Sequence, residues 1–339
     1  MTAFDLGSGR SLRVKNRSDL SVQQFGAEVL LRTLGALEQE VEGVRQGKDI
    51  EAIHRMRVAS RRMRAALPLF GAALAPRKQD AWMQDIRGLT KALGAARDSD
   101  VQIEHLQAFY RELPLGPERP GIRRLLLRLR QRRTRLQQAV EKALVDLAKS
   151  KTLMEMERKL HPYLKGLETP PRSPALCVLA SESIREKLEQ LLFYEPFIQI
   201  PEDKDDLHAM RIAAKHLRYT AEIFSPLYTS ELKPYLKALR QAQELLGEIH
   251  DCDMWMLFLP EFLERERLRT LRYFGVERPF RRLKPGLEAF ITDRSATRDQ
   301  HYAEFLTTWQ SWRQDGLWDQ LINEVTALSI PPGQSQPEA

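Results

Sequence analysis

Apolar residues recur at the spacing of an amphipathic helix along most of the 339-residue chain. The pattern first appears between Ser21 and Arg45, and it resumes after each cluster of proline and glycine residues. No segment shows the sustained apolar–polar alternation of a half-buried strand, and no Asn-Gly pair marks a hairpin. The pattern therefore predicts an all-α protein.

A proline-rich string, TPPRSP at residues 169–174, divides the helical pattern into two halves. Proline interrupts helices, so this string predicts a linker between a first helical half, 21–168, and a second, 175–328. Residues 1–20 and 329–339 lack periodicity and are predicted to be tails. Each half supplies about four helices, which is enough for a small bundle.

One predicted helix in each half carries a row of cations beside an apolar stripe. The first copy reads IHRMRVASRRMRAALPLF, 53–70, and the second reads LHAMRIAAKHLRYTAEIF, 207–224. The spacing i, i+3, i+7, i+10 places four basic groups on one side of each helix over roughly 15 Å. These groups are His54, Arg57, Arg61 and Arg64 in the first copy and His208, Arg211, Lys215 and Arg218 in the second.

A second repeated string follows each basic helix: LGAARDSD at 93–100 and LGEIHDCD at 246–253. The basic helices are 154 residues apart and these strings 153, so two features recur in the same order at nearly one offset. This predicts an internal duplication, giving two similar four-helix bundles related by pseudo-twofold symmetry. Asp100 and Asp253 fall on apolar stripes, so we expect them to be buried beside an arginine or histidine of a neighbouring helix.

Charge is concentrated in the first half. The chain carries a net +7, yet residues 51–140 alone hold 19 Lys+Arg against 8 Asp+Glu. Such a local surplus indicates an anionic partner. The sequence shows no run of about 18 apolar residues, no secretory signal at its start, and only two cysteines, too few for a disulfide framework. We therefore expect a cytoplasmic protein without a membrane span.

The paired strings resemble those of the CHAD family (conserved histidine α-helical domain) over about 21–325. The resemblance implies two four-helix bundles whose basic faces border a central groove or pore. It also implies binding of inorganic polyphosphate, with association with polyphosphate granules in some members. The positions that match the basic residues of the family, and that we expect to bind polyphosphate, are His54, Arg57, Arg61, Arg64, Arg87, Lys91, His208, Arg211, Lys215, Arg218 and Arg240. The second half departs from the first at Glu244, which replaces Lys91, and at His250, which replaces Arg97.

Two other functions remain open at this stage. A nucleic-acid-binding protein fits the charge, although Tyr219 is the lone aromatic candidate for base stacking on the basic helices. A histidine-dependent phosphotransferase or phosphatase acting on polyphosphate fits the histidines, although the sequence has no Gly-rich phosphate loop, nucleophile elbow or hydrolase motif. We expect a binding protein rather than an enzyme.

No cofactor is expected beyond the phosphate ligand. The histidines lack the spacing of metal ligands and are flanked by arginines, so Mg²⁺ would be bridged by phosphate rather than held by a dedicated site. Part of the arginine-rich helix at 123–135 is expected to join the binding surface. The sequence leaves the preferred polyphosphate length and the oligomeric state open.

Overall fold

The computed structural model describes residues 19–47, 49–164, 173–228 and 231–327, and helices account for most of them. No β-strand occurs in these ranges, so the predicted all-α fold is confirmed. The helices are α1 Leu20–Glu38, α2 Val41–Gln46, α3 Ile50–Leu74, α4 Gln79–Glu112, α5 Arg119–Ser150, α6 Thr152–Leu160, α7 Pro174–Leu192, α8 Lys204–Phe224, α9 Lys233–Phe274, α10 Arg278–Arg281, α11 Lys284–Gln314 and α12 Leu317–Ala327. No helix in the described ranges is long and apolar enough to cross a bilayer.

Three long stretches with a helical pattern each form more than one helix in the structure. The segment 21–45 is broken by a turn after Glu38, and the segment that begins at 121 is broken at Lys151, whose φ is +57°. The stretch 279–328 is broken at Leu283 and at Gly316, whose φ of +65° suits glycine. Residues 1–18 of the predicted N-terminal tail, the C-terminal tail and most of the linker lie outside the described residues. The predicted boundaries are wrong at Leu20, which begins α1, and at Pro174, which belongs to α7.

The second half repeats the packing order of the first. In the first half, α1 packs against α3, α3 against α4, and α4 against α5. In the second half, α7, α8, α9 and α11 pack in the same order. Corresponding helices also meet across the halves, since α1 contacts α7, α3 contacts α8, and α5 contacts α11. This is the pattern that pseudo-twofold symmetry would produce, and it supports the interpretation of an internal duplication.

One apolar core runs through both halves. The rings of Phe25, Phe70 and Phe224 meet at its centre, with centroids 5.8–5.9 Å apart. Phe70 and Phe224 occupy corresponding positions on α3 and α8, so the apolar sides of the basic helices join the halves. The predicted stripe residues are fully buried: Met56, Met63, Leu67 and Phe70 on α3, and Met210, Leu217 and Phe224 on α8.

A second apolar cluster joins α4, α5, α9 and α11. At its edge α5 and α11 cross through two glycines, Gly121 and Gly286. A Cβ at Gly121 would lie 2.1 Å from the carbonyl oxygen of Leu283, and one at Gly286 would lie 1.8 Å from that of Glu118. The two glycines are 165 residues apart rather than 154, mainly because α9 has 42 residues and α4 has 34. The extra residues of the second half therefore follow its basic helix α8 in the chain.

Candidate anion-binding site

The basic helices α3 and α8 enclose a cavity of about 420 Å³ between the two halves. Six of the eleven predicted binding residues line it: Arg57, Arg61 and Arg64 from α3, and His208, Arg211 and Lys215 from α8. The remaining polar lining includes His216, Tyr219, His250, Asp98 and Asp251. Cations from both halves thus face one shared space.

Aspartates in the local sequence fix where both basic helices begin. Asp49 caps the N-terminus of α3, because its Oδ1 accepts a hydrogen bond from the Glu51 backbone N–H at 2.8 Å. Asp203 does the same for α8, accepting from the Asp206 N–H at 3.3 Å. With the apolar stripe of each helix fixed in the core, the cationic side is left at the boundary between the halves.

Arg57 and Arg211 occupy matching positions against matching glycines. A Cβ at Gly94 would lie 3.8 Å from the Arg57 Nε, and one at Gly247 would lie 3.6 Å from the Arg211 Nε. These are ordinary van der Waals distances, so the two guanidinium groups lie against the surfaces of α4 and α9 in the same way. Both Nε atoms are buried without a hydrogen-bond partner among the described residues. The two guanidinium groups are positioned, but their hydrogen-bonding capacity is not used up.

The cations in the cavity repel one another. Burial, followed by Arg211 and Arg61, lowers the pKa of Lys215 to about 7. Burial, followed by Arg61, lowers the pKa of Arg57 to about 10, against the opposing effect of Asp98, whose carboxylate is 3.3 Å away. Both shifts mean that burial and the neighbouring cations disfavour the charged forms of these two side chains.

His54 and His208 occupy corresponding positions on α3 and α8, but a different residue lies beside each of them. His208 stacks on His250 with ring centroids 4.4 Å apart, and the pKa of His208 is lowered by burial and then by His250. His54 has Arg97 in the place of His250, and its pKa is lowered by burial and then by Arg97. In each histidine Nδ1 is buried and, among the described residues, has no hydrogen-bond partner.

Five predicted residues do not line the cavity. His54 lines an adjoining cleft between α1, α3 and α8. Arg218 forms an ion pair with Glu222 at 3.3 Å and lies over the Tyr219 ring at 4.9 Å. Arg87 is exposed, but it is near enough to Arg64 to lower the pKa of that residue, second to burial. Lys91 and Arg240 are exposed on α4 and α9.

The structure adds His216 to the cavity, a residue that the sequence analysis did not select. Its pKa is lowered by burial and then by Lys187 and Lys215. The available signal was its position directly after Lys215, at the edge of the cationic side of α8. In the described ranges, no three His, Cys, Asp or Glu residues form a group that could hold a metal ion.

The two aspartates of the repeated strings are buried and paired, as predicted. The Arg133 Nε donates to Asp100 at 2.6 Å, and the Arg298 Nε donates to Asp253 at 2.8 Å. Arg133 and Arg298 are 165 residues apart, the same offset as the crossing glycines. These pairs fasten the last long helix of each half to the helix that supports the cavity.

The arginine-rich helix does not reach the cavity. None of its arginines at 123–135 belongs to the lining. Arg124 and Arg128 instead lie 3.3 and 2.8 Å from the carboxylate of Glu266, which is fully buried on α9. The expectation that part of this helix joins the binding surface is therefore wrong for the cavity between α3 and α8. Arg124 and Arg128 neutralise a buried carboxylate instead.

Comparisons with known proteins give a family and a fold. The structure resembles the crystal structure of the CHAD domain from the plant Ricinus communis, with a TM-score of 0.59, 25% identity, and coverage of 80% of this chain and 93% of that one. It also resembles PptA from Streptomyces chartreusis, with a TM-score of 0.59, 16% identity, and coverage of 85% and 99%. No curated protein matches the chain in sequence. The CHAD domain family model matches residues 28–260, which include both basic helices and both repeated strings, and the chain belongs to the CHAD domain family.

Proposed function

We propose that this protein binds inorganic polyphosphate in the cavity between α3 and α8. The observation that carries the proposal is the convergence of six basic residues from the two halves on one space. Among the described residues that line this space, the carboxylates are Asp98 and Asp251. The cavity is therefore a region of positive charge that a dense anion would neutralise.

The arrangement of the cations suits a linear anion better than a single phosphate. Within the cavity each basic row runs from Arg57 to Arg64 or from His208 to Lys215, roughly 10 Å along its helix, which is longer than one phosphate group. Arginine can bind phosphate oxygens through two parallel hydrogen bonds, whereas lysine acts as a point charge. Arg57 and Arg211 supply one such guanidinium group to the cavity lining from each half. Affinity should fall steeply with salt, as it does for other phosphate lattices that release counterions.

The test is a titration with long-chain polyphosphate of the wild type and of a double variant, Arg57→Gln with Arg211→Gln. We expect a loss of affinity of at least about tenfold, because each charge-assisted hydrogen bond contributes at least ~1 kcal/mol. The matched control is Arg123→Gln with Arg130→Gln, which removes the same charge from exposed positions on α5. Helicity of all variants is checked by circular dichroism. Equal losses in the two double variants would contradict a specific site.

Binding without catalysis is part of the same proposal. Incubation with polyphosphate and Mg²⁺ should release no free phosphate and leave no acid-labile phosphate on the protein. DNA and RNA should displace polyphosphate only at large excess, because Tyr219 is 6% exposed and offers little surface for base stacking. We further propose association with polyphosphate granules, which a fluorescent fusion carrying the Arg57→Gln and Arg211→Gln changes should lose.

A further inference from the structure

A smaller pocket of about 250 Å³ adjoins the basic cavity on the α7 side. Its walls are largely apolar and include Ala65, Pro68, Leu69 and Leu179. Arg64, Ala65 and His216 line both the pocket and the cavity, so the two spaces meet at these residues. An apolar hollow is therefore directly connected to a cluster of cations.

The other half has a different structure at the corresponding place. Most of the residues that lie 154 positions before or after those of the pocket line a cleft of about 710 Å³ between α1, α3 and α8. Tyr219 corresponds to Ala65 and Glu222 to Pro68. Glu222 is paired with Arg62 at 3.4 Å, so this cleft presents ion pairs where the pocket presents apolar side chains.

The difference between Tyr219 and Ala65 changes how the basic cavity connects with the space beside it in each half. Tyr219 lines both the basic cavity and the cleft on the α1 side, so its side chain stands between them. On the α7 side, the position that corresponds to Tyr219 is Ala65, whose methyl group lies at the junction together with the side chains of Arg64 and His216. No aromatic ring from α3 therefore separates the cavity from the pocket, and an organic group attached to a phosphate chain could pass between Ala65 and the two basic side chains.

The chemistry of the pocket indicates what kind of group would enter. Its rim carries the guanidinium of Arg64 and the imidazole of His216, two flat groups that can stack on an aromatic ring. Ser183 and Glu186 add hydrogen-bonding groups to the otherwise apolar wall. The Glu186 carboxylate already accepts hydrogen bonds from Lys187 and Gln190. A nucleobase has an apolar face that matches the apolar wall and a polar edge that can form hydrogen bonds with side chains such as Ser183, whereas a purely aliphatic group matches the apolar wall alone.

We propose that the pocket is a subsite for the nucleoside part of a nucleoside triphosphate whose phosphates occupy the basic cavity. The inference rests on the proposed phosphate-binding function of that cavity. It extends the ligand class from inorganic chains to organic esters of short phosphate chains. Ala65 contributes to this selectivity, because its side chain is the smallest of the three that line the connection.

The experiment compares adenosine triphosphate with inorganic tripolyphosphate, which has the same number of phosphates, by calorimetric titration in the presence of EDTA. Adenosine triphosphate should bind the wild type about tenfold more tightly, the gain expected from burying roughly 55 Å² of apolar ligand surface. Ser183→Phe, which fills the pocket at a residue that does not line the basic cavity, should abolish this preference and leave tripolyphosphate affinity within about twofold, since it changes no charge. Ala65→Phe should abolish the preference as well. Ala36→Phe in the cleft on the α1 side is the matched control and should retain the preference.

The outcomes separate this inference from the proposed function. If tripolyphosphate binds but adenosine triphosphate shows no advantage, or if Ser183→Phe leaves the advantage intact, the subsite is refuted and the phosphate site survives. If neither ligand binds the wild type, both proposals fail. A larger, Ala65-dependent advantage for geranyl diphosphate over pyrophosphate would overturn the nucleoside assignment. Ala65→Phe fills the pocket from α3 and provides the same test of the preference if Ser183→Phe does not fold.

Discussion

The cationic cavity reduces folding stability, and Lys215 allows that cost to be measured. Burial and the neighbouring arginines lower the pKa of Lys215 from its ordinary value of 10.5 to about 7. At pH 7 this lysine is fully protonated in the unfolded chain but only about half protonated in the folded protein. Lys215→Met keeps the length and the apolar stem of the side chain and removes the charge.

The magnitude follows from the two pKa values. At pH 7, protonation of Lys215 stabilises the folded protein by about 4 kcal/mol less than it stabilises the unfolded chain. Methionine carries no such cost, but repacking and screening by salt reduce the gain. We therefore expect Lys215→Met to raise the free energy of unfolding by about 2 kcal/mol at pH 7. Because the pKa of a cation is lowered, the cost is fully present below pH 7 and disappears as the pH rises towards 10.5.

Urea denaturation followed by circular dichroism at pH 7 and pH 9, without phosphate in the buffer, measures this effect. The stability gain of Lys215→Met at pH 9 should be about half of that at pH 7, because pH 9 is closer to the pKa of 10.5 that this lysine has in the unfolded chain. Lys237→Met, at an exposed position on α9, is the matched control and should change stability by less than about 0.5 kcal/mol. A loss of stability in Lys215→Met, or an equal gain at both pH values, would refute the reasoning.

Three further predictions concern the cavity and the crossing of the halves. Asp98→Asn removes one of the carboxylates in the cavity and should raise polyphosphate affinity about threefold in a titration at fixed salt, the scale of an exposed charge pair. Polyphosphate affinity should fall between pH 7 and pH 9, because the bound anion favours protonated Lys215; calorimetry in two buffers of different ionisation enthalpy should detect proton uptake at pH 8. Gly286→Ala would place a Cβ 1.8 Å from the Glu118 carbonyl oxygen, and the urea midpoint should drop by the equivalent of more than about 2 kcal/mol. Gly88→Ala, at an exposed helical glycine with no atom within 4 Å of the added Cβ, should instead stabilise the protein by up to about 1 kcal/mol.

The helices and the sides they present were accessible from sequence, because both follow from local periodicity. The stripe that ends at Phe70 and Phe224 is buried as predicted, and the cations lie beside it. Periodicity does not specify how two helices cross, and the crossing decides which part of a long cationic row faces the other half. His54 therefore lies outside the cavity although it belongs to the predicted row.

Arg218 shows a signal that was present in the sequence. Glu222 follows it by four residues, and oppositely charged residues at that spacing pair on a helix. The corresponding Arg64 is followed at the same spacing by Pro68 and remains in the cavity.

The partners of the buried aspartates illustrate the opposite situation. The need for an arginine or histidine beside Asp100 and Asp253 follows from the cost of burying an unpaired carboxylate. The identity of those partners, Arg133 and Arg298, depends on helices 33 and 45 residues further along the chain. Tertiary packing selects them, and no local pattern encodes that choice.

The exchange of Tyr219 for Ala65 has a consequence for any chain of phosphates that occupies the cavity. Inorganic polyphosphate has two chemically identical ends. The tyrosine ring on the α1 side and the alanine methyl on the α7 side make the two halves of the cavity unequal, so the two directions in which a bound chain could lie would not be equivalent. Two termini that are indistinguishable in solution would become distinguishable once the protein holds them.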